Sequence, residues 1–303
     1  MKILLIGANG QIGYELARQL PPLGEVIALD RTHMDLTDPD QVRAVIRYHQ
    51  PQLLINAAAY TAVDQAESEP ELTMRINAEA PAVMAQEAQA LGAGMIHYST
   101  DYVFDGSKNG SYEEDDATNP LNVYGRSKLA GELAVATACE AHWIFRTSWV
   151  YGVHGNNFLK TMMRLMQERE QLAIVADQIG APTWARTISD VTRHLLTNGI
   201  GDTAMLDDLR ATSGLYHLTA GGATSWHEYA CFIATQLQAH RMAIKATADK
   251  IAAIPSAAYP TPAARPLNSR LSLEKMQKTF AITMPAWQSD VTACLSELIA
   301  NDH

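Results

Sequence analysis

The chain carries only three cysteines in 303 residues, Cys139, Cys231 and Cys294, widely spaced and without a CxxC pair. That excludes a disulfide framework and a thiolate zinc site, and leaves them as small buried hydrophobes. The histidines form neither HExxH nor another paired metal spacing, so no metal is expected. His97, on a strand pattern, reads as a satisfied core residue. Positive charge is in deficit: 23 Lys and Arg face 33 Asp and Glu, for a net charge of −10. This argues against nucleic acid or an anionic membrane as the main partner, while leaving room for a small basic pocket that takes a phosphorylated ligand. Long apolar runs are missing as well. Ile3 to Ile6 and Leu53 to Ile55 are far too short to span a bilayer, and the opening Met-Lys-Ile-Leu-Leu-Ile meets Gly7 without a secretory cleavage pattern. Cytoplasmic residence is the expectation.

At 47% hydrophobic and 18% charged, the chain can bury a large core organised as one large unit or two. Short apolar runs alternate with helical periodicity. Lys2 to Ile6 reads as a buried strand, Gln11 to Leu20 as a helix, and Val26 to Asp30 as the next strand. Asp38-Pro39-Asp40-Gln41 has the form of a capping box opening a helix that points Val42, Val45 and Ile46 inward, with Leu53 to Asn56 as a third strand. Strands are expected at Met95 to Ser99 and Trp143 to Thr147, with helices at Glu79 to Leu91 and Tyr124 to Thr137. This order predicts an α/β, Rossmann-like, doubly wound parallel sheet with ligands at the carboxyl ends of its strands. Residues 1–150 form the dinucleotide-binding domain in this reading, and 151–303 mainly a smaller C-terminal substrate-binding lobe whose chain can cross back to the sheet. Helices are expected there at Phe158 to Arg169, Ile188 to Leu196, Ser225 to Gln238 and Pro285 to Asn301, with Ala252 to Pro266 as a surface loop. Met162, Met163 and Met166 mark a core face.

Between the first strand and helix lies Gly7-Ala8-Asn9-Gly10-Gln11-Ile12-Gly13. Gly7 permits a sharp exit from the strand, Gly10 lets backbone approach a pyrophosphate, and Gly13 lets the helix pack on the sheet. The helix start offers N–H groups and a positive dipole end. Asp30 follows at the end of the second strand, where a ribose 2′-hydroxyl is held. Asp30 favours NADH, whereas neighbouring Arg31 could pair with the 2′-phosphate of NADPH, so both cofactors stay open. Downstream, Tyr124 and Lys128 stand four residues apart, on one face of a helix. An ammonium beside a phenol eases release of its proton, which suits proton exchange with a carbonyl near neutral pH.

The glycine spacing, Ser99-Thr100 and Tyr124-x-x-x-Lys128 together resemble the extended short-chain dehydrogenase/reductase superfamily. Within it, the stretches His97 to Gly106, Arg146 to Gly152, Asp177 to Thr183 and Arg265 to Leu271 resemble the dTDP-4-dehydrorhamnose reductase family, over essentially the whole chain. The resemblance implies reduction of the C4 keto group of dTDP-4-dehydro-L-rhamnose by NADPH or NADH, giving dTDP-L-rhamnose, a precursor of cell-surface polysaccharide. It implies that Thr100 offers its hydroxyl to the C4 carbonyl, that Tyr124 donates the proton, and that Lys128 binds the nicotinamide ribose and favours phenolate between turnovers. For the cofactor it carries over Gly10, Gln11 and Ile12 at the pyrophosphate, Asp30 at the ribose, Asp35 and Leu36 near adenine, and Ala59, Tyr60 and Thr61 in a neighbouring loop.

Toward the substrate the resemblance carries over Asp101 and Trp149, whose indole would pack on the apolar face of the deoxysugar. Asn157, Arg265 and Arg270 are candidates for the diphosphate, Arg270 ahead of Arg265, since guanidinium forks match phosphate oxygens. Surface salt bridging would leave the same trace in sequence. Asn77 is read either as a support of the cofactor helix or as a surface residue. Two other readings are a cofactor-binding regulatory subunit, like the methionine adenosyltransferase partner that resembles this family, and another nucleotide-sugar reductase or epimerase. The sequence leaves oligomeric state open, with a homodimer as one option.

Overall fold

The computed structural model describes residues 1–197 and 202–301. Six strands, β1 (Lys2–Ile6), β2 (Glu25–Leu29), β3 (Leu53–Asn56), β4 (Gly94–Thr100), β5 (His142–Thr147) and β6 (Gly214–His217), form one sheet in the order β6-β5-β4-β3-β1-β2. Every pairing in it is parallel. Parallel strands need crossovers, and the helices that make them cover both faces, which is why β1 and β3 are near-continuous apolar runs and β3, β4 and β5 are buried along their whole length. Ile3 and Leu5 of β1 face a core shared with Leu16 and Leu20 behind β1 and with Ile188, Val191 and Leu195 of the helix Ala185–Thr197. Leu4 and Ile6 face the other way, toward Val42 and Ile46, Met84 and Ala88, and Val135.

The strand order reverses at β1, which pairs with β2 on one side and β3 on the other. Backbones leaving β1 and β3 meet at this switch point. Gly7 has φ of 86°, and a Cβ there would lie 2.6 Å from the amide nitrogen of Ala58. Both the left-handed conformation and the contact require glycine.

Expected and observed elements agree closely through β5, with shifts of a residue or two at their ends. The capping box at Asp38 is half formed. Asp38 accepts from the amides of Asp40 and Gln41, but Gln41 turns its amide oxygen to the backbone N–H of Asp35. Past Thr147 the chain divides: helix Ala185–Thr197 and strand β6 complete the sheet layer, the latter as the edge strand beside β5. A second core gathers Leu159, Met162, Met163 and Met166 of helix Phe158–Glu168 with Tyr229, Ile233 and Leu237 of helix Trp226–Ala239 and Val291 and Leu295 of helix Trp287–Asn301. The loop expected over Ala252 to Pro266 begins instead as a strand, Ile251–Ile254, parallel to Leu172–Val175. Its alanines concealed a pairing that only the partner strand reveals. Cys139 and Cys294 are buried and Cys231 half-buried, all with free thiols. Among the described residues no helix is long and apolar enough to cross a membrane.

Candidate active site

The segments that follow β1 to β5 open into one cleft of about 1130 Å³. Gly7, Gly10, Gln11, Ile12, Asp30, Arg31, Asp35 and Leu36 line it, as do Ala59, Tyr60 and Thr61. The first helix starts at Gln11, capped by Gly10 without a side-chain hydrogen bond, so its leading N–H groups stay available to an anion. Gly13 is packed so closely that a Cβ would lie 2.0 Å from the carbonyl oxygen of Gly7.

Asp30 is held on all sides. Its Oδ1 accepts from Thr32 N at 3.0 Å, Thr32 Oγ1 at 2.6 Å and His33 Nδ1 at 2.8 Å, and its Oδ2 from Asn9 Nδ2 at 2.9 Å. The Thr32 and His33 bonds keep this carboxyl well below the usual carboxylate range. Asp35 is lowered in the same manner by the amide and hydroxyl of Thr37. The loop bearing Tyr60 is clasped by Asn77, which is buried. Asn77 Oδ1 accepts from Tyr60 N at 2.8 Å, and its Nδ2 donates to Tyr60 O and Ser127 Oγ, both at 3.0 Å. Asn77 lies in a π-turn, Arg75–Glu79, a local widening that turns this side chain inward. It is therefore a buried support of the loop bearing Tyr60 and not a surface residue.

Thr100 ends β4, and the turn Asp101–Val103 follows it. Its Oγ1 accepts from Tyr102 N at 3.2 Å and donates to Asp101 Oδ1 at 3.1 Å. Tyr124 is the second residue of the helix Val123–Ala138, whose cap is Asn122 with Oδ1 2.7 Å from Gly125 N. A Cβ on Gly125 would lie 2.2 Å from Tyr102 O. The absent side chain thus lets the helix press on the turn after β4, and Tyr124 and Thr100 come to line the same cleft. Burial pushes the Tyr124 phenol up to about 12, with the Thr100 hydroxyl opposing the shift and the Asp101 charge adding to it. Burial also raises Asp101 itself, to about 6.

Lys128 is also buried, yet it turns to the sheet. Its Nζ donates to Tyr98 O at 2.7 Å and lies 3.3 Å from His97 Nε2. Burial lowers it to about 8. The i, i+4 spacing led to the expectation that an ammonium would ease proton loss from Tyr124. Burial dominates instead, so the phenol's shift is upward and Tyr124 is held in its neutral form.

Trp149 lines the cleft from the αL region, at φ of 48°, and its indole stacks on that of Trp226. Asn157 and Arg270 are not among the lining residues. Asn157 caps the helix Phe158–Glu168, accepting from Lys160 N, and donates to Gln11 Oε1 at 2.9 Å and Gly152 O at 2.8 Å. The two bonds to neighbours use both of its amide protons, and the cap engages its oxygen. Arg270 donates through Nε to Asn268 Oδ1, and Arg265 is bidentate to Asp64. Arg146, prominent in the Arg-Thr-Ser-Trp stretch, is buried in a bidentate pair with Glu132. Sequence reasoning missed Asn9 and Trp226. Asn9 was legible as the amide inside the glycine turn, but Trp226 lies far along the chain and only the fold brings it to Trp149.

The family model described as the RmlD substrate binding domain matches residues 1–300. A dTDP-4-dehydrorhamnose reductase of Shigella flexneri is 48% identical over 98% of each chain, and one of Burkholderia thailandensis is 47% identical over 99% of this chain and 100% of its own. Among solved structures, a dTDP-4-dehydrorhamnose reductase of Bacillus anthracis in complex with NADP superposes with a TM-score of 0.87 at 34% identity, covering 98% of this chain and 99% of the other. A glycine turn at the switch point of a parallel sheet, a Thr–Tyr pair at its carboxyl edge and this likeness along the full length agree, and the chain belongs to the RmlD family of dTDP-4-dehydrorhamnose reductases.

Proposed function

We propose that this enzyme reduces the C4 keto group of dTDP-4-dehydro-L-rhamnose with NADPH or NADH to give dTDP-L-rhamnose, using Tyr124, Thr100 and Lys128. The observation that carries the reading is that Thr100, Tyr124 and Lys128 line the cleft that the glycine turn also lines. The cleft fits a dinucleotide: the open N–H groups at Gln11 and Ile12, at the start of the first helix, suit a pyrophosphate, and Asp30 suits a ribose. When bound, the nicotinamide supplies the hydride for C4. Tyr124, neutral at physiological pH, gives its proton to the C4 oxygen, and Thr100 hydrogen-bonds that oxygen as charge builds on it. Lys128 stands one helical turn beyond Tyr124, where it holds the nicotinamide ribose and replenishes the phenol's proton.

Asp101 and the Trp149–Trp226 stack face the nucleotide sugar. Arg270 stays a candidate only for an outer diphosphate contact, and Asn157 serves through Gln11. We assign sheet chemistry to residues 1–150 and substrate cover mainly to 151–303, with helix Ala185–Thr197 and β6 returned to the sheet layer. Location in the cytoplasm fits a nucleotide-sugar substrate, and a homodimer is tested by sedimentation. The decisive assay follows NADPH oxidation by the purified protein with dTDP-4-dehydro-L-rhamnose. Steady turnover supports the assignment, whereas no turnover with this substrate, by a folded protein that binds NADPH, rejects it.

A further inference from the structure

Behind the cleft, three buried side chains from two strands and a helix stand in line. Asn56, the last residue of β3, and His97 of β4 are register partners. Asn56 Nδ2 lies 3.1 Å from His97 Nδ1, and His97 Nε2 lies 3.3 Å from Lys128 Nζ. Asn56 Oδ1 accepts from the backbone amide of Ala58 at 3.1 Å. Asn56, His97 and Lys128 are at most 1% exposed.

A proton count fixes the direction of this chain. The Ala58 amide can only donate, so the oxygen of Asn56 must be the end facing it. The other end is then the NH₂ group, which can only donate to His97. A neutral imidazole has one N–H and one accepting nitrogen, so Nδ1 accepts and the proton sits on Nε2, aimed at Lys128. His97 stays neutral because burial, and then the Lys128 charge, hold it well below its ordinary value. An ammonium and an Nε2–H are both donors, and the 3.3 Å between them is longer than a charge-assisted bond of about 2.7–2.9 Å. A neutral amine, by contrast, accepts that N–H.

The other groups facing Lys128 do not reverse this. Glu132, one turn along the same helix, favours the ammonium but is engaged by both arms of Arg146. From β4 the Tyr98 carbonyl accepts one Nζ proton, while the Tyr98 phenol is occupied by Thr192. Tyr124 and Asp101 are both shifted toward their neutral forms by burial.

We propose that Asn56 and His97 are positioning residues that lock one imidazole tautomer against Lys128 and so make it a ready proton donor to Tyr124. The inference rests on the roles given above to Tyr124 and Lys128. In each turnover the phenol loses its proton to the C4 oxygen, and the Lys128 ammonium, which lines the same cleft, then supplies the proton that restores the phenol. The resulting amine accepts the Nε2–H of His97 until water returns a proton through the cleft.

Two measurements test it. Long-range ¹H–¹⁵N spectra of protein labelled on histidine should show His97 neutral with its proton on Nε2, an outcome independent of activity. A proton on Nδ1, or a charged ring near pH 7, overturns the lock. Asn56→Asp keeps an acceptor for Ala58 and offers a second oxygen to Nδ1–H, which turns Nε2 into an acceptor for the ammonium. The pH limb of kcat that Lys128 governs should then move up by about one pH unit or more. An unmoved limb in a folded Asn56→Asp enzyme with the flipped tautomer overturns the proton-supply role. Failure of the underlying catalytic reading looks different: Tyr124→Phe would keep its turnover while the His97 tautomer stayed as stated.

Discussion

The indole of Trp149 lies against that of Trp226 with ring centroids 3.6 Å apart and planes 11° from parallel. The two residues come from the end of β5 and from the first turn of helix Trp226–Ala239, and Gly180 has no side chain to keep the Trp149 ring away. Because both indoles line the cleft, the stack is a wall that a sugar or a thymine can meet. Trp226→Ala should raise KM for the nucleotide sugar by about 2- to 10-fold, the equivalent of roughly 0.5–1.5 kcal/mol for one aromatic contact, with NADPH affinity unchanged. Steady-state kinetics paired with cofactor titration decides this, and an unaltered KM removes Trp226 from the substrate wall.

Tyr124→Phe removes one hydroxyl from the Thr100–Tyr124 pair and nothing else. Turnover should fall by about 10²-fold or more, the scale of a lost general acid, while NADPH still binds. Stopped-flow traces of cofactor oxidation measure both, and near-normal rates would take the proton-donor role away from Tyr124.

Arg31 is exposed at the cleft, next to the anchored Asp30. A 2′-phosphate should meet repulsion from Asp30 and attraction from Arg31, so the wild type accepts both nicotinamides. Arg31→Ala should cost NADPH about 1.5–3 kcal/mol and leave NADH nearly untouched. Equal losses for both cofactors in titration calorimetry would make Arg31 a plain surface cation.

Asp101 gives a pH signature of defined sign. Burial raises its carboxyl from 3.8 to about 6, so between these values the folded state binds more protons than the unfolded state. Stability from this group is complete below the lower value and is lost as pH rises through the upper one, by roughly 3 kcal/mol in total. Asp101→Asn should therefore gain on the wild type in thermal melts as pH goes from about 4 to about 7. A difference that does not vary with pH refutes the assignment.

The Arg146–Glu132 pair is buried at both ends, with side chains 4% and 3% exposed. Glu132→Gln leaves a buried guanidinium without its counter-charge and should destabilise the fold by about 3–5 kcal/mol in urea unfolding. A loss below about 1 kcal/mol would mean that water reaches the guanidinium.

Much of the fold could be read locally. The apolar runs of β1 to β5, the glycine turn and Asp30 are neighbours in sequence, and each carries a period or a turn chemistry that works over a few residues. Tyr124 and Lys128 were found by the same kind of spacing. Their environment was not, because burial by distant segments decides how a phenol or an ammonium titrates. The spacing put the ammonium one turn from the phenol; only the fold shows that Tyr98 O and His97 are the partners that hold it.

The candidate substrate residues divide along the same line. Asn157 and Arg270 were chosen for their chemistry, but an amide can cap a helix as readily as it binds a ligand. Asn157 does so while also reaching Gln11 across 146 positions. Strand β6 and the pair Leu172–Val175 and Ile251–Ile254 are short and weakly patterned, so they become strands only when a partner supplies the ladder. The sequence by itself therefore determined the parallel sheet and the glycine turn at its switch point, and it singled out the candidate reacting side chains, since these depend on neighbours along the chain. The tertiary structure alone decided which imidazole nitrogen faces Lys128, which indole covers Trp149 and which cations are already paired, since hydrogen-bond direction and burial arise only once separate segments are packed together.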